Sequence, residues 1–497
     1  MSSKSKKLGL GAVILMMFTT IFGFANGPVA FAQMGYAAII WYLLGGLLFF
    51  LPTAMMYAEF GASYTDAKGG IYTWMEEALG QKVAFIATFV GLASWITWMI
   101  GVAQKVWIPF STLFAGHDAT QSWSLFGMSS GETVGVLAAL FVIVVAFFVN
   151  RGVSAIARIS SIGGVFVMAL NGILLLASVV ILLASGGHFA EPVQLHSFLI
   201  SSNPAFQSPF QMISFALYAI FAYAGLEQMG SVMENIDEPE KTYPKGAIIA
   251  TIVIGIGYSL SILLWGVSTN WLHLSAMKSA NLGNITYVLM NNLGVQLGQS
   301  LHLSQATALL LGDLFTRFAG IGMFMAYVGS FFYLTYGPIK SFILGTPKEF
   351  WPARVVRLNK HGIPATAVWA QAIIVVVLIL GISFGGKNAS QLYLILTNMG
   401  NVSTTLPYVF LVLAFPFFKR LPNVKRPFVF FKSAKSYWPV TILVELLMLL
   451  SIGLTIWEPF STGDWFDGMW TILGPVLFAI IAWILFARAE KHEKTND

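Results

Sequence analysis

No cysteine occurs in this chain of 497 residues. That absence excludes disulfides, thiolate nucleophiles and Cys-ligated metal sites. Charge is scarce as well: Asp, Glu, Lys and Arg make up 10% of the residues, against about 25% in soluble domains. The sequence lacks a Walker-type phosphate loop, a zinc-binding histidine pair and a Gly-x-Ser-x-Gly elbow. Without a nucleotide site, any concentrative movement of a solute draws on ion or solute gradients. The longest connections, around 115–131, 186–208 and 272–304, are too short for a catalytic domain and read as loops. An enzyme is therefore not expected, and neither is a cofactor or a metal.

What fills the chain is apolar: 57% of residues are hydrophobic, and the mean hydropathy is +0.77. Twelve apolar runs, most of about 20 residues or more, follow one another at 8–36, 38–62, 83–114, 132–149, 153–185, 209–234, 244–271, 305–344, 364–384, 390–418, 437–457 and 469–488. The predicted class is an all-α integral membrane protein, residues 1–497 forming a single transmembrane domain with about twelve spans. The first run has a rival reading as a cleaved leader, with Lys4, Lys6 and Lys7 at its start and Ala30-Phe31-Ala32 as the cleavage triplet. Its internal Gly-Pro break and the spans that follow favour a membrane helix.

The chain carries 27 Lys and Arg and a net charge of +6. With the N-terminus inside, the outer loops hold only Lys278 and Lys387, while Lys105 and Arg317 lie within spans. This asymmetry follows the positive-inside rule and predicts two cytoplasmic termini. Anionic lipid is the partner expected for such loops, not nucleic acid. The basic, Phe- and Pro-rich run Lys419–Lys435 reads as an interfacial loop.

Two spans are interrupted. Phe22-Gly23-Phe24-Ala25-Asn26-Gly27-Pro28 breaks the first, and Phe221-Ala222-Tyr223-Ala224-Gly225-Leu226-Glu227 breaks the sixth. Broken helices persist at membrane depth only where they are buried in protein or line a cavity. Breaks in corresponding positions of two halves point to a transporter's binding site. Spans one to five (8–185) and six to ten (209–418) read as two halves of inverted orientation, with 437–488 as two accessory helices.

At these residues the chain resembles the amino acid-polyamine-organocation (APC) superfamily, over nearly its whole length. Phe221, Gly225 and Glu227 resemble the family's Phe-x-x-x-Gly-x-Glu break. Pro239 and Pro244 resemble its following loop, although Glu238 stands where the pattern has Asn and Glu234 is one residue out of place. Asn359, Gly362 and Pro364 resemble its Asn-x-x-Gly-x-Pro signature. Within the superfamily the similarity is greatest to the glutamate/γ-aminobutyrate antiporter branch. The resemblance implies a LeuT-like 5+5 inverted repeat with broken helices 1 and 6, and exchange or proton-coupled uptake of amino acids. Two departures stand out. Gly23-Phe24-Ala25 replaces the common Gly-Ser-Gly, and Ser160 to Leu170 lacks the lysine that some relatives are thought to use in place of sodium.

The expected substrate site is built on the breaks. The stretch Gly23, Phe24, Ala25, Asn26 and Gly27 lines it, with amides facing a carboxylate. Tyr223, Ala224 and Gly225 offer carbonyls to an ammonium. Six ionisable residues inside or near spans are functional candidates by default: Glu59, Lys105, Glu227, Asp313, Arg317 and Glu445. Glu227 reads as a proton-coupling and substrate-contacting carboxylate, or as a structural cap of the broken helix. Asp313 and Arg317 are spaced to pair on one helix face, as a structural or outer-gate pair or in contact with substrate. Lys105 either snorkels outward or faces the vestibule, where it would favour an acidic substrate. Glu59 reads as interfacial, and Glu445 has no assigned role. Trp95, Trp98, Tyr327 and Phe331 are gating candidates or packing residues. The expected function is a secondary active amino acid antiporter of the plasma (inner) membrane, with glutamate/γ-aminobutyrate-like exchange by alternating access. The alternative is proton-coupled uptake of a neutral amino acid. A different class is a non-transporting receptor or a channel in a transporter fold.

Overall fold

The computed structural model describes residues 7–65, 70–386 and 389–496, with side chains throughout except at 153–155, 157, 231–232, 234, 389–401 and 492–496. Lys4, Lys6, Lys68 and Lys387, and the side chain of Glu234, lie outside the described residues. The described chain is helical. The first span is α1 (Leu10–Ile21) and α2 (Asn26–Met34), bent by 44°. The second is α3 (Ala37–Gly45) and α4 (Leu51–Ser63), joined by a π-turn over Gly46–Phe50. A short α5 (Ile71–Leu79) precedes the third span, α6 (Gln81–Lys105) and α7 (Trp107–Ala115). Spans four and five are α8 (Ser130–Val149) and α9 (Val153–Ala184). After a short α10 (Leu195–Leu199), the sixth span is α11 (Pro209–Phe221), a turn, and a 3-10 helix over Leu226–Asn235. Next come α12 (Pro239–Ser268), α13 (Trp271–Ala276), α14 (Ile285–Ser300) and the 41-residue α15 (Gln305–Gly345). The remainder is α16 (Ala353–Val356), α17 (Ala365–Phe384), α18 (Ala389–Phe418), α19 (Ala434–Ser461) and α20 (Trp465–Asn496).

Among the described residues, ten helices are long and apolar enough to cross a membrane, and the bent pair α1–α2 makes an eleventh. Helix α18 lies at the remaining apolar run. Two expectations change. The break in the first span covers only 22–25, so Asn26, Gly27 and Pro28 belong to the first turn of α2. Proline is tolerated there because the first-turn N–H groups lack helical acceptors anyway. The segment 272–304, expected as a loop, contains α13 and α14. Its Gly294 and Gly298 let α14 approach the backbone of α15 at Leu311 and Ala308, where a side chain would collide. The chain between spans two and three contains α5.

The two broken spans are held together. Helix α1 packs on α12, with Val13 and Met17 fully buried. The Leu8 N–H donates to the Asn235 carbonyl (2.8 Å), and the Asp237 N–H donates to Leu8 (2.9 Å). Outside them, α15 packs on α9 and α14, and α18 packs on α6, α19 and α20.

Candidate functional site

At the first break, four residues leave the helical ladder and their polar groups need partners. Tyr258 of α12 supplies them. Its hydroxyl accepts from the Gly23 N–H (2.9 Å) and the Asn26 amide (3.0 Å), and lies 2.9 Å from the Ile21 carbonyl and 3.0 Å from that of Ala222. A hydroxyl has one donor and two acceptor sites, so this one is saturated while it touches both breaks. Phe22 stacks on the Tyr258 ring at 4.4 Å, and Phe24 packs edge-on against Trp265. A Cβ at Gly27 would meet the Ser261 hydroxyl, which would have to turn away to make room. Gly23, Ala25 and Asn26 are half-buried, whereas Phe24 and Gly27 are buried.

The second break is closed differently. Gly225 has φ +126°, a conformation that glycine tolerates and side-chain-bearing residues rarely adopt. A Cβ there would also sit 3.3 Å from the Thr20 carbonyl of α1, so the breaks lie back to back. Tyr223 is buried against the π-turn of span two, donating to the Tyr42 carbonyl (2.8 Å) and stacking on Phe50 (4.8 Å). Ala224 is half-buried. Glu227 is 3% exposed. Its Oε2 accepts from the Gly225 N–H (3.0 Å), and its Oε1 accepts from the Gln228 side chain (3.1 Å) and the Tyr408 hydroxyl of α18 (2.7 Å). All three partners are uncharged donors.

Beside Glu227 opens a cavity with about 620 Å³ of empty space, including its open mouth. Thr88, Ser94 and Trp95 of α6, Ser341 of α15 and Tyr408 of α18 help to line it. The expected substrate residues therefore separate. Glu227 lines the cavity, Tyr223 points into span two, and the first break faces Tyr258.

The other candidates lie apart. The Arg317 Nε donates to Asp313 Oδ2 (2.7 Å), and its Nη1 donates to the Leu113 (3.0 Å) and Phe114 (2.5 Å) carbonyls. The pair thus caps the end of α7 and ties α15 to the third span. Lys105 is exposed at the end of α6. Tyr327 is half-buried in α15, Trp98 is exposed, and Phe331 is buried against Phe141. Glu445 is partly buried in α19, with Oε1 lacking a hydrogen-bond partner among the described residues.

Glu59 is not interfacial: it is fully buried. Its Oε2 accepts from Lys419 Nζ (2.6 Å), and its Oε1 accepts from the N–H groups of Phe430 and Phe431 (2.9 and 2.8 Å). The Arg426 Nη2 donates to the carbonyls of Phe418 and Leu421 (2.6 and 2.7 Å). The 419–435 loop is therefore docked on protein at Lys419, Arg426 and Phe431, while Lys425, Lys432 and Lys435 remain exposed. Tyr258 and Tyr408 were missed from the sequence. Each is a lone tyrosine in an apolar run, and only the pairing of distant helices gives its hydroxyl a function.

Comparison with known proteins agrees with this architecture. The profile of a family described as amino acid permease matches residues 8–485. The inner membrane transporter YjeM of Escherichia coli is 49% identical over 97% of this chain and 96% of its own length. A glutamate/gamma-aminobutyrate antiporter of Lactococcus lactis is 22% identical over 99% of this chain and 91% of its own. Among solved structures, the manganese transporter of Eremococcus coleocola shares the fold, with a TM-score of 0.53 and 14% identity, over 97% of this chain and 94% of that one.

Proposed function

This chain belongs to the amino acid permease family, and from that premise we propose that it exchanges amino acids across the inner membrane by alternating access. The observation that carries the reading is the cavity beside the second break, walled by α6, α15 and α18 and holding one buried carboxylate. The two broken spans, joined through Tyr258, move as one unit against α6, α15 and α18, and the cavity opens and closes between them. In this reading 8–185 and 209–418 are inverted repeats, 437–488 are accessory helices, and both termini are cytoplasmic. The Asp313–Arg317 tie between α15 and α7 closes the opposite side, with Tyr327 in its path. Glu227 is the substrate-facing carboxylate. The half-buried Gly23, Ala25 and Asn26 meet the substrate only when Tyr258 withdraws.

Exchange of the glutamate/γ-aminobutyrate kind is what the Lactococcus lactis antiporter suggests; the lone buried acid in the cavity wall favours the amine over the acid as the ligand held there. Proton-coupled uptake of a neutral amino acid is the second reading, favoured by the absence of any charged partner on Glu227 among the described residues. Purified protein in proteoliposomes tests both. Labelled amino acid should accumulate only when unlabelled substrate is preloaded. Accumulation driven by a pH gradient into empty vesicles supports the second reading, and non-saturating flux without countersubstrate would mark a channel instead.

A further inference from the structure

We infer that the cavity beside Glu227 selects its ligand by charge. It takes amines and zwitterions whose side chain is uncharged or cationic, and it rejects aspartate and glutamate. The inference rests on the transporter reading and names the substrate class of that site.

Among the described residues that line the cavity, Glu227 is the only charged group. A carboxylate offers about four lone-pair sites. Three of those on Glu227 are filled by Gly225 N–H, Gln228 and Tyr408. The Glu227 backbone N–H also donates to the carboxylate, so every one of these donors is uncharged, and an ammonium is the ligand group that balances the charge. A ligand's carboxylate has far less to meet. The hydroxyls of Thr88 and Ser94 already donate to the carbonyls of Ala84 and Gly91 in their own helix. Ser341, Thr404 and the Trp95 indole are the other neutral donor groups in the wall, enough for one carboxylate. A second carboxylate, the side chain of aspartate or glutamate, would stand in a low-dielectric site that already holds a negative charge, with no base in the described wall.

Lys340 precedes Ser341 but is not part of the wall, and its ammonium lies 5.9 Å from the centre of the Tyr336 ring. Asp66 and Lys68, close in sequence to the lining residue Gly70, are of opposite sign and lie outside the described residues. Leu92, Trp95 and Leu411 supply an apolar wall suited to an uncharged ligand body.

The experiment uses full-length protein in detergent and measures thermal stabilisation by leucine, γ-aminobutyrate, putrescine, glutamate and aspartate over matched concentration series. At least one of the first three should bind about tenfold or more tighter than either acid. Glu227→Gln should narrow that ratio to about threefold or less. Ser341→Lys, which leaves Glu227 in place but adds a base to the wall, should raise glutamate binding. Equal or tighter binding of glutamate or aspartate to the unaltered protein overturns the inference, as does a ratio that Glu227→Gln leaves unchanged in folded protein. Counterflow of the same five compounds in proteoliposomes separates the two levels. Exchange of glutamate as efficient as that of leucine keeps the transporter reading and removes the charge rule, while failure of all five to exchange removes both.

Discussion

Glu59 and Glu227 are both buried carboxylates that accept from backbone amides, yet they differ in the charge of their side-chain partners. Glu59 meets a lysine and two backbone amides. Glu227 meets a backbone amide, a side-chain amide and a phenol, and it borders a cavity. In the first case the charge is neutralised inside the protein, so the residue acts as a strut between α4 and the loop after α18. In the second the charge is solvated by dipoles but not cancelled, which leaves it available to a cationic group. Burial is the same for the two acids; the charge of their partners is what sets them apart.

The largest effect should come from breaking the strut. Glu59→Ala leaves Lys419 buried without its counterion and is expected to cost about 3–5 kcal/mol. Unfolding of the detergent-solubilised protein measures this. Replacing both partners, as in Glu59→Leu with Lys419→Met, should recover most of the loss. A single variant as stable as the parent would mean that the ion pair does not hold the loop.

An uncharged hub should matter less. Tyr258→Phe strips the hydroxyl from the Gly23 N–H and from two carbonyls, with an expected loss of about 1–3 kcal/mol. Because both breaks share this hydroxyl, exchange should fall as well. A stable variant with unchanged exchange rates would show that the breaks move independently of α12.

Glu227→Gln sharpens the comparison itself. The amide keeps the shape and still accepts from Tyr408, so stability should change by only about 1 kcal/mol. Ligand-induced stabilisation, by contrast, should be largely lost. If the stability loss matched that of Glu59→Ala while ligand response persisted, Glu227 would be a strut too.

The smallest expected change is at Arg317. Its side chain and that of Asp313 are 35% and 42% exposed, so solvent screens the pair, and Arg317→Ala should cost less than about 1 kcal/mol. The readout that matters is leak: passive flux should rise if the tie closes the outer side, and unchanged flux would leave it a helix cap.

Much of the fold was legible in the sequence. Runs of apolar residues have few alternatives to spanning lipid, because every backbone group must be satisfied within a helix. Gly23 and Gly225 marked the breaks, and Glu227 marked the more polar of the two. What sequence reading misplaced is instructive. Gly27 and Pro28 looked like part of the unwound segment, but a first-turn proline leaves the helix intact. The 272–304 connection looked like a loop because its helices are too polar to register as spans, and α14 is instead held by glycine contacts with α15. Glu59 looked interfacial because its position at a span end is visible while its partner is not.

By itself, then, the sequence determined a helical membrane protein with about twelve spans, two broken helices and a short inventory of intramembrane charges, because each follows from local composition and from the cost of exposing backbone or charge to lipid. Tertiary structure alone decided what each charge does. Lys419 lies 360 residues from Glu59, Tyr408 lies 181 from Glu227, and Tyr258 lies 235 from Gly23. Hydropathy and helical periodicity report which face of a helix is buried, and they carry no information about which distant side chain waits on the other side.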